Sequence, residues 1–194
     1  PATGAPRLAC GLDVIASDSE SEDEPYGQVH VFDPVADGKA LIVLKVGGKV
    51  EALEVFKDLG TGAPRLACAS GRKVLVSDPV AGGDALLELD VGSQVNALAV
   101  FTEPATSAPR LACGSWDGKV RVFDAVSGGD ALLVLDAGDC VWALVAFNDL
   151  ATGAPRLVSG SKDKKVRVFD PLAGGEALVV LEGHGREVRA LTAF

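Results

Sequence analysis

Val141-Trp142-Ala143-Leu144-Val145-Ala146-Phe147 is one of four versions of a single phrase, Val-x-Ala-Leu-x-x-Phe, which also stands at Val50–Phe56, Val95–Phe101 and Val188–Phe194. The closing phenylalanines fall 45, 46 and 47 residues apart. A second phrase, Ala-Pro-Arg-Leu, keeps step with it at Ala5–Leu8, Ala63–Leu66, Ala108–Leu111 and Ala154–Leu157. The chain is therefore a repeat protein, and both fold and function have to be argued from the unit.

Each period holds four short apolar runs, clearest in the third unit at Val95–Phe101, Arg110–Gly114, Lys119–Phe123 and Ala131–Leu135. They are rich in Val and Leu and are separated by Gly, Pro, Asp and Ser, which is the pattern of short strands joined by turns. No run reaches the length of a helix without a breaker. In Val141–Phe147 one face carries Val141, Ala143, Val145 and Phe147 and the other Trp142, Leu144 and Ala146. A strand apolar on both faces belongs to a sheet covered on both faces. Four-stranded sheets stacked around an axis provide that cover, and the period is that of propeller blades rather than of helical solenoids.

Ser115-Trp116-Asp117-Gly118-Lys119-Val120-Arg121-Val122-Phe123-Asp124 resembles the turn and third strand of the WD-repeat β-propeller family. Ser159–Asp170 matches the same signature, and Gly183-His184 matches the family's Gly-His dipeptide. The resemblance covers essentially the whole chain and implies an all-β propeller of four-stranded antiparallel blades, with four WD-like repeats. It also implies a polar network joining that histidine to a turn aspartate, a strand serine or threonine, and a tryptophan. Asp117 and Asp163 keep the aspartate, but Phe123 and Phe169 stand for the tryptophan. The other connections read Val46-Gly47, Val91-Gly92 and Ala137-Gly138, without histidine. The expectation is that the network is lost and that apolar packing carries more of the stability.

With strands lettered a to d from the ring centre outward, the chain opens with Arg7–Gly11 as b and Gln28–Phe32 as c, and closes with Val188–Phe194 as an unaccompanied a strand. Residues 1–194 form one domain, with units about 1–45, 46–90, 91–136 and 137–182 and the closing strand 188–194. Pairing the spare strand with the first unit would remove two exposed sheet edges. The reading prefers two chains closing an eight-bladed ring as a homodimer, each donating its last strand, over a four-bladed monomer. A third reading is a piece cut in register from a longer array, since the chain has no Met and Pro1–Pro6 copies part of the Ala151–Pro155 loop.

The 194 residues are 48% hydrophobic, enough for a buried core, and no apolar run approaches the length of a membrane span. Cys10, Cys68 and Cys113 occupy one repeat position, where the fourth unit has Ser159. They read as small buried residues of a reducing compartment, which points to an intracellular, cytoplasmic or nuclear protein. Cys140, just before a strand, is the one expected to be exposed. No Cys or His pair has metal-binding spacing, and neither metal nor cofactor is expected.

The one unrepeated element is Ser17-Asp18-Ser19-Glu20-Ser21-Glu22-Asp23-Glu24, inserted between b and c of the first unit. Asp18, Glu20, Glu22, Asp23 and Glu24 concentrate negative potential at one edge. Ser17, Ser19 and Ser21 each have an acid three residues later, so phosphorylation would deepen it. With a net charge of −9 the chain repels nucleic acid, and a protein or peptide partner of basic character is expected. The b-to-c and d-to-a connections share one propeller face. Trp116 lies in the b-to-c turn of the third unit and Trp142 one residue into strand a of the fourth. The same strand-a position reads Glu51, Asn96, Trp142 and Arg189, varied while its neighbours stay fixed. These residues and the acidic insertion are the candidate partner-binding surface, because interface energy concentrates in a few aromatic and arginine side chains. Arg72, Lys73, Lys162, Lys164 and Arg186 complete a mixed-charge rim. The loops Lys57–Pro64, Thr102–Pro109 and Asn148–Pro155 on the other face are explained as turns.

Catalysis is not expected. The chain has two histidines, His30 and His184, no phosphate loop, and no nucleophile-base arrangement. Glu51 and Glu54, three apart on a strand, fall on opposite faces. The reading is a non-catalytic interaction scaffold; the alternative is a structural repeat fragment of a larger propeller protein without a dedicated ligand.

Overall fold

The computed structural model describes residues 6–13, 27–35 and 38–194. The first repeat gives β1 (Leu8–Asp13), β2 (Gly27–Phe32) and β3 (Ile42–Lys45). The second gives β4 (Val50–Lys57), β5 (Pro64–Ser70), β6 (Lys73–Ser77) and β7 (Leu87–Asp90). The third gives β8 (Val95–Thr102), β9 (Pro109–Ser115), β10 (Lys119–Asp124) and β11 (Leu133–Asp136). The fourth gives β12 (Val141–Asn148), β13 (Pro155–Ser161), β14 (Val166–Phe169) and β15 (Val179–Leu181). Repeats two to four are four-stranded antiparallel meanders in chain order, and among the described residues the first is a three-stranded sheet, β1-β2-β3. The Ser17–Glu24 insertion, with its five carboxylates, lies outside the described residues.

The core sits between sheets. Val29, Leu44, Leu66 and Cys68 join the first and second sheets, and Phe56, Val74, Leu89, Leu111 and Phe123 join the second and third. Phe101, Val120, Leu135, Leu157 and Phe169 join the third and fourth. Phe56 and Phe101 of strand a thus face the following sheet, and Leu66, Leu111 and Leu157 of Ala-Pro-Arg-Leu face the preceding one. The sheets approach closely where strand b carries glycine: a Cβ on Gly114 would lie 2.5 Å from Val141 Cγ1.

The arginine of Ala-Pro-Arg-Leu has its own task. Arg65 donates to Asp58 at 3.1 Å and to Asp78 at 3.4 Å. Arg110 is held the same way between Glu103 and Asp124, and Arg156 lies 3.5 Å from Asp170. The guanidinium ties the a-to-b loop to the end of strand c, a use of planar, two-sided donation that lysine could not copy. The loops first explained as turns therefore also supply a clamp acid.

Two expectations are corrected. Val188–Phe194 is not a strand: among the described residues only its Val188 N–H makes a backbone bond, to Ser161 O at 3.1 Å, while Val188 and Leu191 pack against Val158 and Val166. Without a neighbouring b strand its backbone has no ladder to join. Cys140 is buried and Cys10 is the half-buried thiol; Cys140 is covered from Asn96, whose Nδ2 lies 3.3 Å from its sulfur.

Candidate interaction rim

The b-to-c turns and d-to-a connections meet at one rim. Trp116 N–H donates to Gln94 O at 2.8 Å, and Lys162 N–H to Cys140 O at 2.9 Å. Each bond ties a b-to-c turn to the d-to-a connection of its own repeat, and the third-repeat turn comes against the fourth repeat at Gly118, where a Cβ would stand 3.2 Å from the Asp139 backbone. The two indoles meet edge to face, with centroids 5.6 Å apart and an 84° interplanar angle, the arrangement ring quadrupoles favour. Lys162 Nζ lies 5.9 Å from the Trp116 centroid, and Arg189 Cζ 4.6 Å from the Trp142 centroid. The order cation, indole, indole, cation runs along the rim, each cation over a π face. Trp116 is 51% exposed. Trp142 is half-buried, and among the described residues its buried Nε1 has no hydrogen-bond partner.

The varied strand-a position proves to be a bridge between neighbouring repeats. Glu51 accepts from Gln94 Nε2 at 3.4 Å and pairs with Lys49. Asn96 Nδ2 reaches Val141 O at 3.1 Å, and Trp142 lies under Arg189. Trp116, Trp142 and Arg189 come together with Lys162, Asn96 adjoins them through Val141, and Glu51 touches neither indole among the described contacts. Lys164, Gly185, Arg186, Glu187 and Arg189 line a shallow cleft at the same end. Arg72 and Lys73 are held by Asp90 and Glu88.

The polar network expected to be lost is present in another form. Ser115 Oγ donates to Asp117 at 2.7 Å, and Arg121 donates to Asp117 Oδ2 at 2.7 Å and to Ser115 Oγ at 3.0 Å. Burial would push the Asp117 carboxyl up, but the bonds from Arg121, Ser115 and Lys119 N–H outweigh it and hold it at about 2. In the fourth repeat Arg167 pairs with Asp163 at 2.7 Å and donates to Ala137 O at 2.7 Å. An arginine on strand c thus replaces the ring donors of the usual set. The signal was in the sequence: Asp117 and Asp163 are each followed four residues later by an arginine.

Among the described residues, no three His, Cys, Asp or Glu side chains group as metal ligands. Glu54, which shares β4 with Glu51, is raised by burial.

The profile of the WD domain, G-beta repeat family matches residues 89–124 and 129–170, which contain the Asp117 and Asp163 turns and both arginine networks. Two of its four repeats are similar to WD40 repeats. Two solved structures of BBS1N in complex with ARL6DN, one soaked with lead and one with mercury, are similar to it in fold. The first has TM-score 0.63 at 14% identity over 85% of this chain and 48% of that one. The second has TM-score 0.64 at 14% identity over 85% and 50%. The chain spans about half the length of the solved structures it matches. No curated protein matches it.

Proposed function

We propose that this WD-repeat chain is a non-catalytic protein-interaction scaffold that takes a protein or peptide on the rim bearing Trp116 and Trp142. The observation that carries the reading is the exposed Trp116, backed by a half-buried indole and flanked by Lys162 and Arg189. A rigid aromatic with apolar area already oriented gives up little entropy on binding, and hot spots are built from such groups. WD40 repeats and propeller-type neighbours favour the same class of role, and the four free thiols suit a reducing, intracellular setting. Basic character in the partner rests on the net charge of −9 and on residues 18–24. The Trp rim itself favours an apolar side chain with a carboxylate beside it, because Lys162, Lys164 and Arg186 make no ion pair among the described residues. The proposal includes a second copy of the chain as the partner that completes the ring, through the segment 188–194.

Titration calorimetry with matched lysine-rich and glutamate-rich peptides, each carrying one leucine, tests the rim. Binding of either that weakens at least ~10-fold in Trp116→Ala, about 1.4 kcal/mol, supports it. Equal binding by the wild type and Trp116→Ala overturns the site.

A further inference from the structure

Strand d opens on a bulge in every repeat. Leu41, Leu86, Leu132 and Leu178 donate their N–H to the carbonyls of Val31, Val76, Val122 and Val168 at 2.8 Å. Yet those valines pair in register with the next residues, Ile42, Leu87, Leu133 and Val179. Two residues of strand d thus stand opposite one of strand c, an arrangement that re-aims a side chain at a sheet edge. The extra residue is leucine each time, and the four are 54%, 59%, 57% and 56% exposed. A single exposed leucine needs no explanation. Here the second and third repeats, which have a sheet on either side, turn theirs out as fully as the others, so the feature belongs to the unit.

The c-to-d connection before each bulge is held in place and carries a second apolar group, Val80, Val126 or Leu172, also exposed. Asp78 accepts from Val80 and Ala81 N–H at 2.8 Å, and Asp124 from Val126 and Ser127 N–H at 3.0 and 2.8 Å. The turn then seats on the preceding sheet. A Cβ on Gly128 would stand 2.5 Å from Leu87 Cδ1, and one on Gly174 2.5 Å from Leu133 Cδ1. Apolar groups carried on a fixed backbone lose little freedom when a partner covers them.

Charge says what kind of partner fits. Two residues before the leucine stand Asp84, Asp130 and Glu176, exposed and without an ion pair among the described residues. The acids at the other end of strand d, Asp90, Asp136 and Glu182, are by contrast paired with Arg72, Lys119 and Lys165. No Lys or Arg lies in residues 78–86, 124–132 or 170–178, while the first repeat has Lys39 in place of the acid. The free carboxylate disfavours an anionic lipid surface. The bulge and the four-residue length of β7 and β11 blunt the edge against an added strand, which leaves docking by side chains.

We infer that the c-to-d connections of repeats two to four, each with its opening leucine, are docking sites for a partner-protein segment that carries apolar side chains beside lysine or arginine. Its apolar group covers Leu86, Leu132 or Leu178, and its cation pairs with Asp84, Asp130 or Glu176. In the meander these connections lie at the opposite end of the sheets from the b-to-c turns, so the sites are independent of the Trp116 rim. Three copies on one chain let a partner with a repeated motif bind through effective concentration.

The test is titration calorimetry of the whole chain with a lysine-rich peptide carrying two leucines. Because the site is repeated, the variants are triple: Leu86→Ser/Leu132→Ser/Leu178→Ser, and Asp84→Asn/Asp130→Asn/Glu176→Gln. Each should weaken binding at least ~10-fold, and Trp116→Ala should leave it unchanged. Urea midpoints show that the variants fold, and the acid variant, which alters only exposed unpaired groups, decides alone if the leucine variant does not. Absence of binding at millimolar peptide, or binding unmoved by the acid variant, overturns the inference. Loss in Trp116→Ala assigns the peptide to the Trp rim and overturns it too. A wild-type dimer that the leucine variant dissociates would make the occupant a second copy, and leucine-dependent adsorption to phosphatidylserine vesicles would make it a membrane; either result overturns the inference.

Discussion

Arg167 reaches from the fourth sheet to the third repeat's last connection, where its Nη1 donates to Ala137 O at 2.7 Å. Its other nitrogen pairs with Asp163, so one guanidinium ties a turn to the neighbouring blade. Charge-assisted bonds of this kind are roughly twice as strong as neutral ones. The space is tight: a Cβ on Gly138 would stand 2.6 Å from Arg167 Nη2 and 2.7 Å from Asp163 Oδ2.

Gly138→Ala should therefore cost more than Gly92→Ala. Both glycines have left-handed backbones, with φ of 87° and 84°, so both variants share a strain of about 1–2 kcal/mol. Nothing lies within 4 Å of a Cβ on Gly92. At Gly138 the methyl must dislodge a bonded guanidinium, adding roughly 1–3 kcal/mol. Urea midpoints of the two variants measure the difference, and equal midpoints would show that the Arg167 bridge contributes nothing.

Asp117 makes stability depend on acid. Its folded-state value is about 2 against an ordinary 3.8, so the folded chain holds this proton less readily than the unfolded one. The contribution is fully present above about pH 4 and is lost as pH falls from 3.8 toward 2. Asp163, Asp124 and Asp170 are lowered too, so the wild-type slope is a sum. Asp117→Asn should be less stable at neutral pH and should lose less between pH 4 and 2. Thermal melts across that range check it; parallel curves would rule out the Arg121 network as the source.

Comparison of the repeats exposes two strained residues. Gly118 turns with φ 76°, and the residue at its position in the fourth repeat is Lys164, with φ 70°. Gly62 and Gly153 turn with φ 71° and 70°, and their counterpart is Ser107, with φ 61°. Non-glycine residues tolerate this region at a cost. Lys164→Gly and Ser107→Gly should each stabilise the chain by about 0.5–1 kcal/mol, less whatever unfolded-state freedom glycine adds. Chemical denaturation of the single variants and of the pair should show additive gains, the sites being in different repeats.

The blade plan was legible because Val-x-Ala-Leu-x-x-Phe and Ala-Pro-Arg-Leu hold the same register in every repeat, and register is what a two-face buried strand fixes. The meeting of Trp116 with Trp142 was half legible. Their shared rim followed from strand order, but the edge-to-face contact depends on a turn of one repeat folding over the strand of the next. Asn96 reads as a varied surface position in sequence, yet its amide spans two repeats to Val141 O. Residues 188–194 misled for a related reason: the phrase specifies the position of an inner strand, but a strand also needs a partner, and sequence periodicity says nothing about which sheet supplies it.

Thiol labelling puts the open first sheet to a chemical test. Burial pushes the Cys68 thiol up to about 12 and raises Cys113 as well, while Cys140 is raised by burial and by the neighbouring Asp139. The thiolate is the nucleophile, so all three should react only when the structure opens. Cys10, at the same repeat position as Cys68 and Cys113, has no sheet packed over it among the described residues and is half-buried. In dilute native protein iodoacetamide should modify Cys10 first, at least ~100-fold faster than Cys113, given local opening costs of a few kcal/mol. Mass spectrometry of digests assigns the site. If the first sheet docks on a second copy, Cys10 takes the covered position of Cys68, and its labelling should slow as protein concentration rises. Rapid labelling of Cys10 that does not change with concentration would leave the first sheet uncovered, whereas early labelling of Cys140 would mean that its cover from Asn96 is not maintained in solution.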